Sequence, residues 1–278
     1  MVKTKPMSKV GIGIITCNRL SLFRECMAGV PEADIIVVIN DGDPYPFTAY
    51  PTRIADVKQH QTNRGIGRSK NEALRLLLDA GCSDIFLCED DIRIVNPHLC
   101  DEYIRASKKT GIMHLNFGYH GPLNKSSQGV PKPRKVVDYG EGVSIGLNRC
   151  LVGAFSYYRE EVLRKCGLID QAFRNALEHI DHTYRIIREG FHPPFGWFAD
   201  LAESYRFIDD LDPDLSRSTI RSNRFFNKII FNSIFLLNNL YFKKKHGYLA
   251  QNVPDVGEKE VDRVLNNLKR QYGCFNIL

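Results

Sequence analysis

The stretch IFLCEDD, residues 85–91, decides the fold class of this chain. Its apolar half is typical of a strand buried in a sheet. Its second half places Glu89, Asp90 and Asp91 in one run at the end of that strand. Neighbouring carboxylates raise one another's pKa, so three ionised carboxylates in a row require positive charge nearby. A divalent cation would supply it, because Mg²⁺ and Mn²⁺ favour carboxylate oxygens. A solvated acidic turn that caps the following helix is the structural alternative.

Strands and helices alternate upstream of this run. The apolar patterns predict strands over 10–16, 34–40, 57–61 and 84–88, and helices over 20–29 and 68–80. Such alternation indicates a mostly parallel sheet with helices on both faces. Ligands bind such sheets beyond the carboxyl ends of the strands.

Polar segments follow each of these strands, so we expect them to line one crevice. They are TCNR (16–19), NDGD (40–43), NRGIGRSKN (63–71) and CEDD (88–91). Downstream, the region 114–150 is rich in Gly, Pro, Lys and Ser, which predicts a long mobile loop. Helical periodicity returns at 159–166, 176–188 and 225–242.

Over about residues 8–210 the chain resembles the family 2 glycosyltransferases of the GT-A fold. The matching segments, in order, are GIGIITCNRL, VVINDGD, NRGIGRSKNEAL, IFLCEDDI, GAFSYYREEVLRKCGLIDQAF and LEHIDHTYRIIREGF. The resemblance implies an α/β, Rossmann-like, mostly parallel mixed sheet flanked by helices. It further implies a catalytic domain over 1–210, with a nucleotide-sugar half (1–100) and an acceptor half (101–210). A basic helical extension would then occupy 211–278.

The resemblance also implies what the crevice binds. The donor would be a nucleotide-sugar, in first place a UDP-sugar, and the acceptor a hydroxyl on a glycan or other polymer. Asp91 and Glu89 would hold Mn²⁺ or Mg²⁺, and Gly153 would contact the acceptor. From its residue type, Trp197 is a candidate for stacking on the acceptor sugar, with a buried core tryptophan as the favoured alternative. The implied donor-binding residues are Thr16, Asn18, Arg19, Asp41, Asn63, Gly65, Arg68 and Asp90.

One departure from the family concerns the catalytic base. An inverting transferase needs a base that takes the proton from the acceptor hydroxyl. The family usually supplies it from the Asp of a Glu-Asp pair, whereas this chain has Glu178–His179. Glu178, Asp181 and His179, in that order, are the candidates, and an ordinary acidic helix N-terminus is the alternative.

Charge is concentrated near the C-terminus of a chain with a net charge of +6 over 278 residues. Residues 217–245 contain seven Lys or Arg and no Asp or Glu. This excess predicts an anionic partner, either a membrane surface or a nucleic acid. The apolar run 225–242 carries a lysine and asparagines, which a membrane-spanning helix tolerates poorly.

We expect a cytoplasmic protein, with a peripheral position at the inner face of the membrane as an alternative. The N-terminal residues do not have a signal-peptide pattern, and the eight cysteines contain no CxxC pair. Three other functions are compatible with the sequence: a glycosyltransferase acting on a modified DNA base, a non-catalytic nucleic-acid-binding protein, and a nucleotidyltransferase. The donor sugar, the acceptor, the linkage, the stereochemical outcome and the oligomeric state are left open.

Overall fold

A computed structural model describes residues 8–47, 54–213 and 225–274. The strands are β1 (Val10–Thr16), β2 (Ile35–Asn40), β3 (Asp56–Gln59), β4 (Asp84–Glu89), β5 (Ile92–Ile94), β6 (His114–Asn116), β7 (Lys135–Asp138), β8 (Ser144–Asn148), β9 (Phe155–Arg159), β10 (Phe198–Leu201) and β11 (Ile208–Asp210). The helices are α1 (Leu20–Gly29), α2 (Ile66–Asp79), α3 (Leu99–Thr110), α4 (Glu160–Cys166), α5 (Glu178–Arg188), α6 (Phe225–His246) and α7 (Glu258–Tyr272).

A six-stranded sheet in the order β3-β2-β1-β4-β9-β6 forms the centre of the molecule. Strands β3, β2, β1 and β4 run parallel, and β9 runs antiparallel to both of its neighbours. Successive side chains of a strand point to opposite faces. Ile14 accordingly joins the core that contains α1 and α3, and Ile15 joins the core that contains α2, α4 and α5. The predicted mixed, mostly parallel sheet between helices is confirmed.

The prediction of a mobile loop over 114–150 was wrong. This region contains β6, β7 and β8, and β8 pairs with β10 and β7 in a second, three-stranded sheet. Ile145 and Leu147 of β8 are fully buried. The Gly and Pro residues belong to the turns between these strands. The strands are short, so the turn residues dominate the composition of the region.

The reversed strand β9 brings a second chain segment to the carboxyl edge of the parallel strands. Cys88 pairs with Phe155, and the amide of Glu89 donates a hydrogen bond to the carbonyl of Ala154 at 2.8 Å. Because β9 runs the other way, the segment 151–154 that precedes it arrives where β1, β2 and β4 end. Residues from both halves of the chain therefore meet at this edge.

The C-terminal residues that the structure describes are helical. Helix α7 packs on α3, and its Val261, Leu265 and Leu268 are buried in the main core. None of the described helices is long and apolar enough to cross a membrane. Three cations of the basic segment, Arg217, Arg221 and Arg224, lie outside the described residues, and nothing is described of the Lys228 side chain.

Asp200 of β10 is a buried carboxylate with a measurable effect on stability. It accepts hydrogen bonds from the Tyr103 hydroxyl (2.6 Å) and the Gly118 amide (2.9 Å) and is fully buried. Burial raises its pKa to about 6, although these hydrogen bonds oppose the shift. The folded protein therefore holds the Asp200 proton more tightly than the unfolded chain does.

We expect the free energy of unfolding of the wild type, relative to that of Asp200→Asn, to fall as pH rises from about 4 to about 6, by on the order of 2–3 kcal/mol. The asparagine variant loses hydrogen bonds at every pH but cannot titrate. Urea denaturation of both proteins across this range measures the difference. Parallel stability curves would show that Asp200 is not the titrating group.

Candidate active site

A crevice of about 640 Å³ lies at the carboxyl edge of the central sheet. The structure brings most of the predicted site residues to its wall. These are Thr16, Asn18, Arg19, Asp41, Asn63, Gly65, Glu89, Asp91, Gly153, Glu178 and His179. Arg68, Asp90, Asp181 and Trp197 do not line it.

Arg19 compensates two carboxylates of the run that follows β4. Its guanidinium forms an ion pair with Asp90 and donates a hydrogen bond to Asp91 Oδ2 at 2.9 Å. Thr16, at the end of β1, donates to Asp90 Oδ2 at 2.6 Å. Burial raises the pKa of Asp90 to about 7, and Arg19 only partly opposes the shift. Asp90 therefore lies behind the crevice wall, where it holds Thr16 and Arg19.

Lys70 neutralises the third carboxylate of the run and was missed by the sequence analysis. Its Nζ lies 2.8 Å from Glu89 Oε1 and 3.4 Å from Glu178 Oε1, and it donates to the carbonyl of Gly153 at 3.1 Å. Burial would lower the pKa of Lys70, but Glu89 and Glu178 outweigh it and the pKa is raised. Glu89, which was predicted to be a metal ligand, thus forms an ion pair with Lys70.

A periodic signal could have identified Lys70. In α2 it lies three and seven residues before Ala73 and Leu77, so it shares their buried face. Arg68, predicted to bind the donor, lies on the exposed face of the same helix. In a helix that borders a crevice, a Lys or Arg that lies among the buried apolar residues points toward the interior, whereas one on the exposed face points toward solvent.

Glu178 and His179 form a pair at the start of α5. His179 Nδ1 lies 3.1 Å from Glu178 Oε1, and the His179 ring is partly exposed to the crevice. Burial would raise the pKa of Glu178, but His179 and Lys70 lower it well below its usual value. Glu178 is therefore ionised. In the tautomer that carries its hydrogen on Nδ1, His179 donates a hydrogen bond to Glu178, which leaves Nε2 as the ring nitrogen with a free lone pair.

Gly153 provides the space for this pair. A Cβ atom added at Gly153 would lie 3.0 Å from His179 Nδ1, closer than side chains normally pack. The predicted acceptor-side role of Gly153 remains a prediction. Its observed effect is to allow the imidazole to lie against the segment that precedes β9.

Two other predicted residues are placed away from the crevice. Asp181 is fully buried and paired with Lys245 and His246 of α6, the latter at 2.7 Å. Trp197 is buried beneath the guanidinium of Arg134 and donates its N–H to Asp255 at 3.0 Å. These positions give Asp181 no access to an acceptor proton, and they give Trp197 no open face on which a sugar could stack.

Asp41 organises the loop that precedes α2. Its carboxylate lies 2.6 Å from His60 Nδ1 and accepts hydrogen bonds from the amides of Arg64 (2.7 Å) and Gly65 (2.8 Å). Asn63 donates to its carbonyl at 3.0 Å. Asp41 thus fixes the shape of the crevice wall that residues 63–65 form.

His120 offers a second ligand for a cation at Asp91. Its Nε2 lies 3.9 Å from Asp91 Oδ2, and its Nδ1 lies 2.9 Å from Asp210 Oδ1. Asp210 lies within ion-pair distance of this imidazole, although Nδ1 makes no hydrogen bond among the described residues. Asp91 Oδ1 is buried and has no hydrogen-bond partner among the described residues. His120 lies in the region that the sequence analysis assigned to a loop, which is why it was missed.

The charges near Asp91 also fit a divalent cation. Among the described residues, the four carboxylates Glu89, Asp90, Asp91 and Glu178 pair with two permanently charged cations, Arg19 and Lys70, and the pKa of Asp90 is raised to about 7. The described residues contain no group of three or more His, Cys, Asp or Glu side chains that could hold a metal ion. Two protein ligands suffice, however, where substrate phosphates and water complete the shell.

Comparisons with known proteins identify the fold. No family model matches the sequence, and no curated protein is detectably similar to it. Among solved structures, TarS residues 1–349 from S. aureus is 14% identical, with a TM-score of 0.52 over 94% of this chain and 70% of that one. The same TarS fragment in complex with UDP-GlcNAc gives a TM-score of 0.50 at 14% identity, over 94% of this chain and 71% of that one.

A third structure is the mannosyltransferase PcManGT from Pyrobaculum calidifontis, in complex with GDP-Man and Mn²⁺. It is 13% identical, with a TM-score of 0.44 over 64% of this chain, and this chain spans about half, 51%, of its length. The match to TarS covers nearly the whole chain. This chain has the fold of the GT-A glycosyltransferases.

Proposed function

We propose that the protein is a metal-dependent glycosyltransferase that moves a sugar from a UDP-sugar to a hydroxyl acceptor with inversion at the anomeric carbon. One observation carries the proposal: the Glu178–His179 pair and Asp91, with its unpartnered oxygen, line the same crevice. The choice of UDP is supported by the similarity to TarS, which has been solved with UDP-GlcNAc.

In this mechanism the donor diphosphate lies near Arg19 and Asp91, and the sugar extends toward α5. The acceptor oxygen attacks the anomeric carbon as the bond to the diphosphate breaks, and the diphosphate leaves with the bonding electron pair. His179 Nε2 takes the acceptor proton. Glu178 holds the other ring nitrogen and stabilises the imidazolium that forms, as a buried carboxylate does for a catalytic histidine elsewhere.

Asp91 and His120 are the residues that would hold the divalent cation. The chemistry such a cation supplies is stabilisation of negative charge on the departing diphosphate. Arg19 would stay between Asp90 and Asp91, where it keeps the Asp91 carboxylate oriented toward the crevice. Lys70 would do the same for Glu178.

Calorimetry with UDP tests the donor site. We expect wild-type protein to bind UDP in the presence of Mn²⁺, and Asp91→Ala to weaken binding by roughly 10- to 100-fold because the metal ligand is lost. His120→Ala should give a loss of similar size. Asp101→Ala, which removes an exposed carboxylate of α3, is the matched control and should bind as wild type does.

Two outcomes would contradict different parts of the proposal. If UDP bound equally well without metal and in Asp91→Ala, the metal dependence would be wrong and the donor site would stand. If UDP did not bind under any condition, the UDP-sugar assignment would fail, and other nucleotides would have to be titrated.

A further inference from the structure

Helix α6 exposes an unusual amount of apolar surface. Five aliphatic side chains are about half exposed or more: Ile229, Ile230, Leu236, Leu237 and Leu240. Leu236 and Leu237 are 60% and 65% exposed. These five residues, called here the α6 apolar face, recur at helical spacing and so form one stripe. Contiguous apolar surface of this kind marks an interaction site.

The opposite side of the same helix contains buried polar side chains. Asn238 accepts a hydrogen bond from the Arg174 amide and donates to the carbonyls of Arg174 (2.9 Å) and Ala176 (2.7 Å). Asn239 accepts a hydrogen bond from the amide of Ala250 at 3.2 Å. A rotated helix would leave these amides and carbonyls unsatisfied in the interior, which costs free energy. The leucines therefore face outward because the asparagines fix the rotation of the helix.

Positive charge lies at the end of the α6 apolar face. Lys243 and Lys244 are exposed and lie on the same side of the helix as Leu236, Leu237 and Leu240. The sequence from 217 to 245 contains no acidic residue. An aliphatic stripe flanked by lysines has the chemistry of a helix that lies in the interface of an anionic membrane.

We propose that α6 is a docking element for an anionic lipid surface, with the α6 apolar face in the acyl-chain boundary and Lys243 and Lys244 at the lipid phosphates. Two other occupants fit less well. Subunit interfaces are enriched in aromatic residues and Arg and depleted of Lys, whereas this surface combines aliphatic side chains with two lysines. Nucleic acid is held by phosphate contacts and by aromatic stacking, whereas the exposed large apolar side chains described on this stripe are aliphatic.

The position of α6 connects this surface to the crevice. Phe235, on another side of the helix, lines both the crevice and an adjoining cavity of about 470 Å³. A membrane-bound α6 would hold the crevice mouth close to the lipid surface. The acceptor would then be attached to the lipid surface. This consequence rests on the proposed function, whereas the docking proposal does not.

Sedimentation of the full chain with vesicles, without donor or acceptor, tests the proposal. We expect wild-type protein to bind phosphatidylcholine vesicles that contain phosphatidylserine, and to bind them less as salt is raised. The triple variant Leu236→Asn, Leu237→Asn and Leu240→Asn should bind about tenfold less or weaker still. The double variant Lys243→Glu and Lys244→Glu should lose the preference for phosphatidylserine.

The matched control removes three exposed valines elsewhere on the surface, Val95→Asn, Val130→Asn and Val136→Asn. It should bind vesicles as wild type does. Circular dichroism checks that each variant is folded, independently of UDP binding. A triple variant that binds vesicles as tightly as the control would overturn the proposal. So would a wild type that ignores vesicles and instead dimerises through the α6 apolar face or binds duplex DNA. UDP binding is measured separately, so either proposal can fail alone.

Discussion

Replacing His179 with alanine is expected to lower the rate of glycosyl transfer by roughly 10²- to 10⁴-fold, the usual contribution of a general base. UDP binding should stay close to wild type, because the proposed site of the donor diphosphate is formed by Arg19 and Asp91 and does not include His179. The reaction can be followed as UDP release from a panel of UDP-sugars, with water or an added sugar as acceptor. His98→Ala, which removes an exposed histidine, is the matched control.

The variant Glu178→Gln tests which member of the Glu178–His179 pair takes the acceptor proton. We expect a smaller loss than for His179→Ala, since Glu178 orients the imidazole and does not itself take the proton. Gly153→Ala should also slow transfer, because the added methyl group lies 3.0 Å from His179 Nδ1 and displaces the ring. If Glu178→Gln abolished transfer while His179→Ala retained it, Glu178 would be the base.

Arg19→Met is expected to lower the free energy of unfolding by about 3–5 kcal/mol, because it leaves the buried Asp90 and Asp91 without their cation. Burial raises the pKa of Asp90 to about 7 even with Arg19 in place. Urea denaturation measures the loss. The double variant Arg19→Met with Asp90→Asn should recover part of it, since one of the two uncompensated charges is removed.

Arg93→Met is the matched control for Arg19→Met. Arg93 pairs with Asp209 at 2.7 Å, but both side chains are 43% exposed, so we expect a change of about 1 kcal/mol or less. Equal losses in the two variants would show that Arg19 does not stabilise a buried carboxylate pair. The comparison of Arg19→Met with Arg93→Met therefore tests the effect of burying the carboxylate partner, and not the effect of the ion-pair distance.

The sequence predicts the donor half of the fold well because its signals are local. β1 and α1 have the predicted limits, and the next strands and α2 differ from the predictions by one or two residues at their ends. The region 114–150 was mispredicted because its strands are three to five residues long and separated by turns. Such strands are defined by their partners in a sheet, and these partners are distant in sequence.

The candidate site divides in the same way. Thr16, Arg19 and Asp91 follow strands and could be placed at the sheet edge from sequence alone. Asp181 was chosen because it shares a helical face with Glu178, and only the packing of α6 on that face shows that it is buried. His120 reaches Asp91 from a segment about thirty residues away, and no local pattern encodes that contact.

The reversed strand β9 limits where the chain could be divided into fragments. The predicted boundary near residue 100 would separate a donor half from an acceptor half in sequence, yet β9 lies between β4 and β6 in one sheet. A fragment that ended at this boundary would leave β4 as an exposed edge, with the backbone groups that pair with β9 open to other chains. It would aggregate, and exchange of acceptor halves between related enzymes would have to keep this strand pairing.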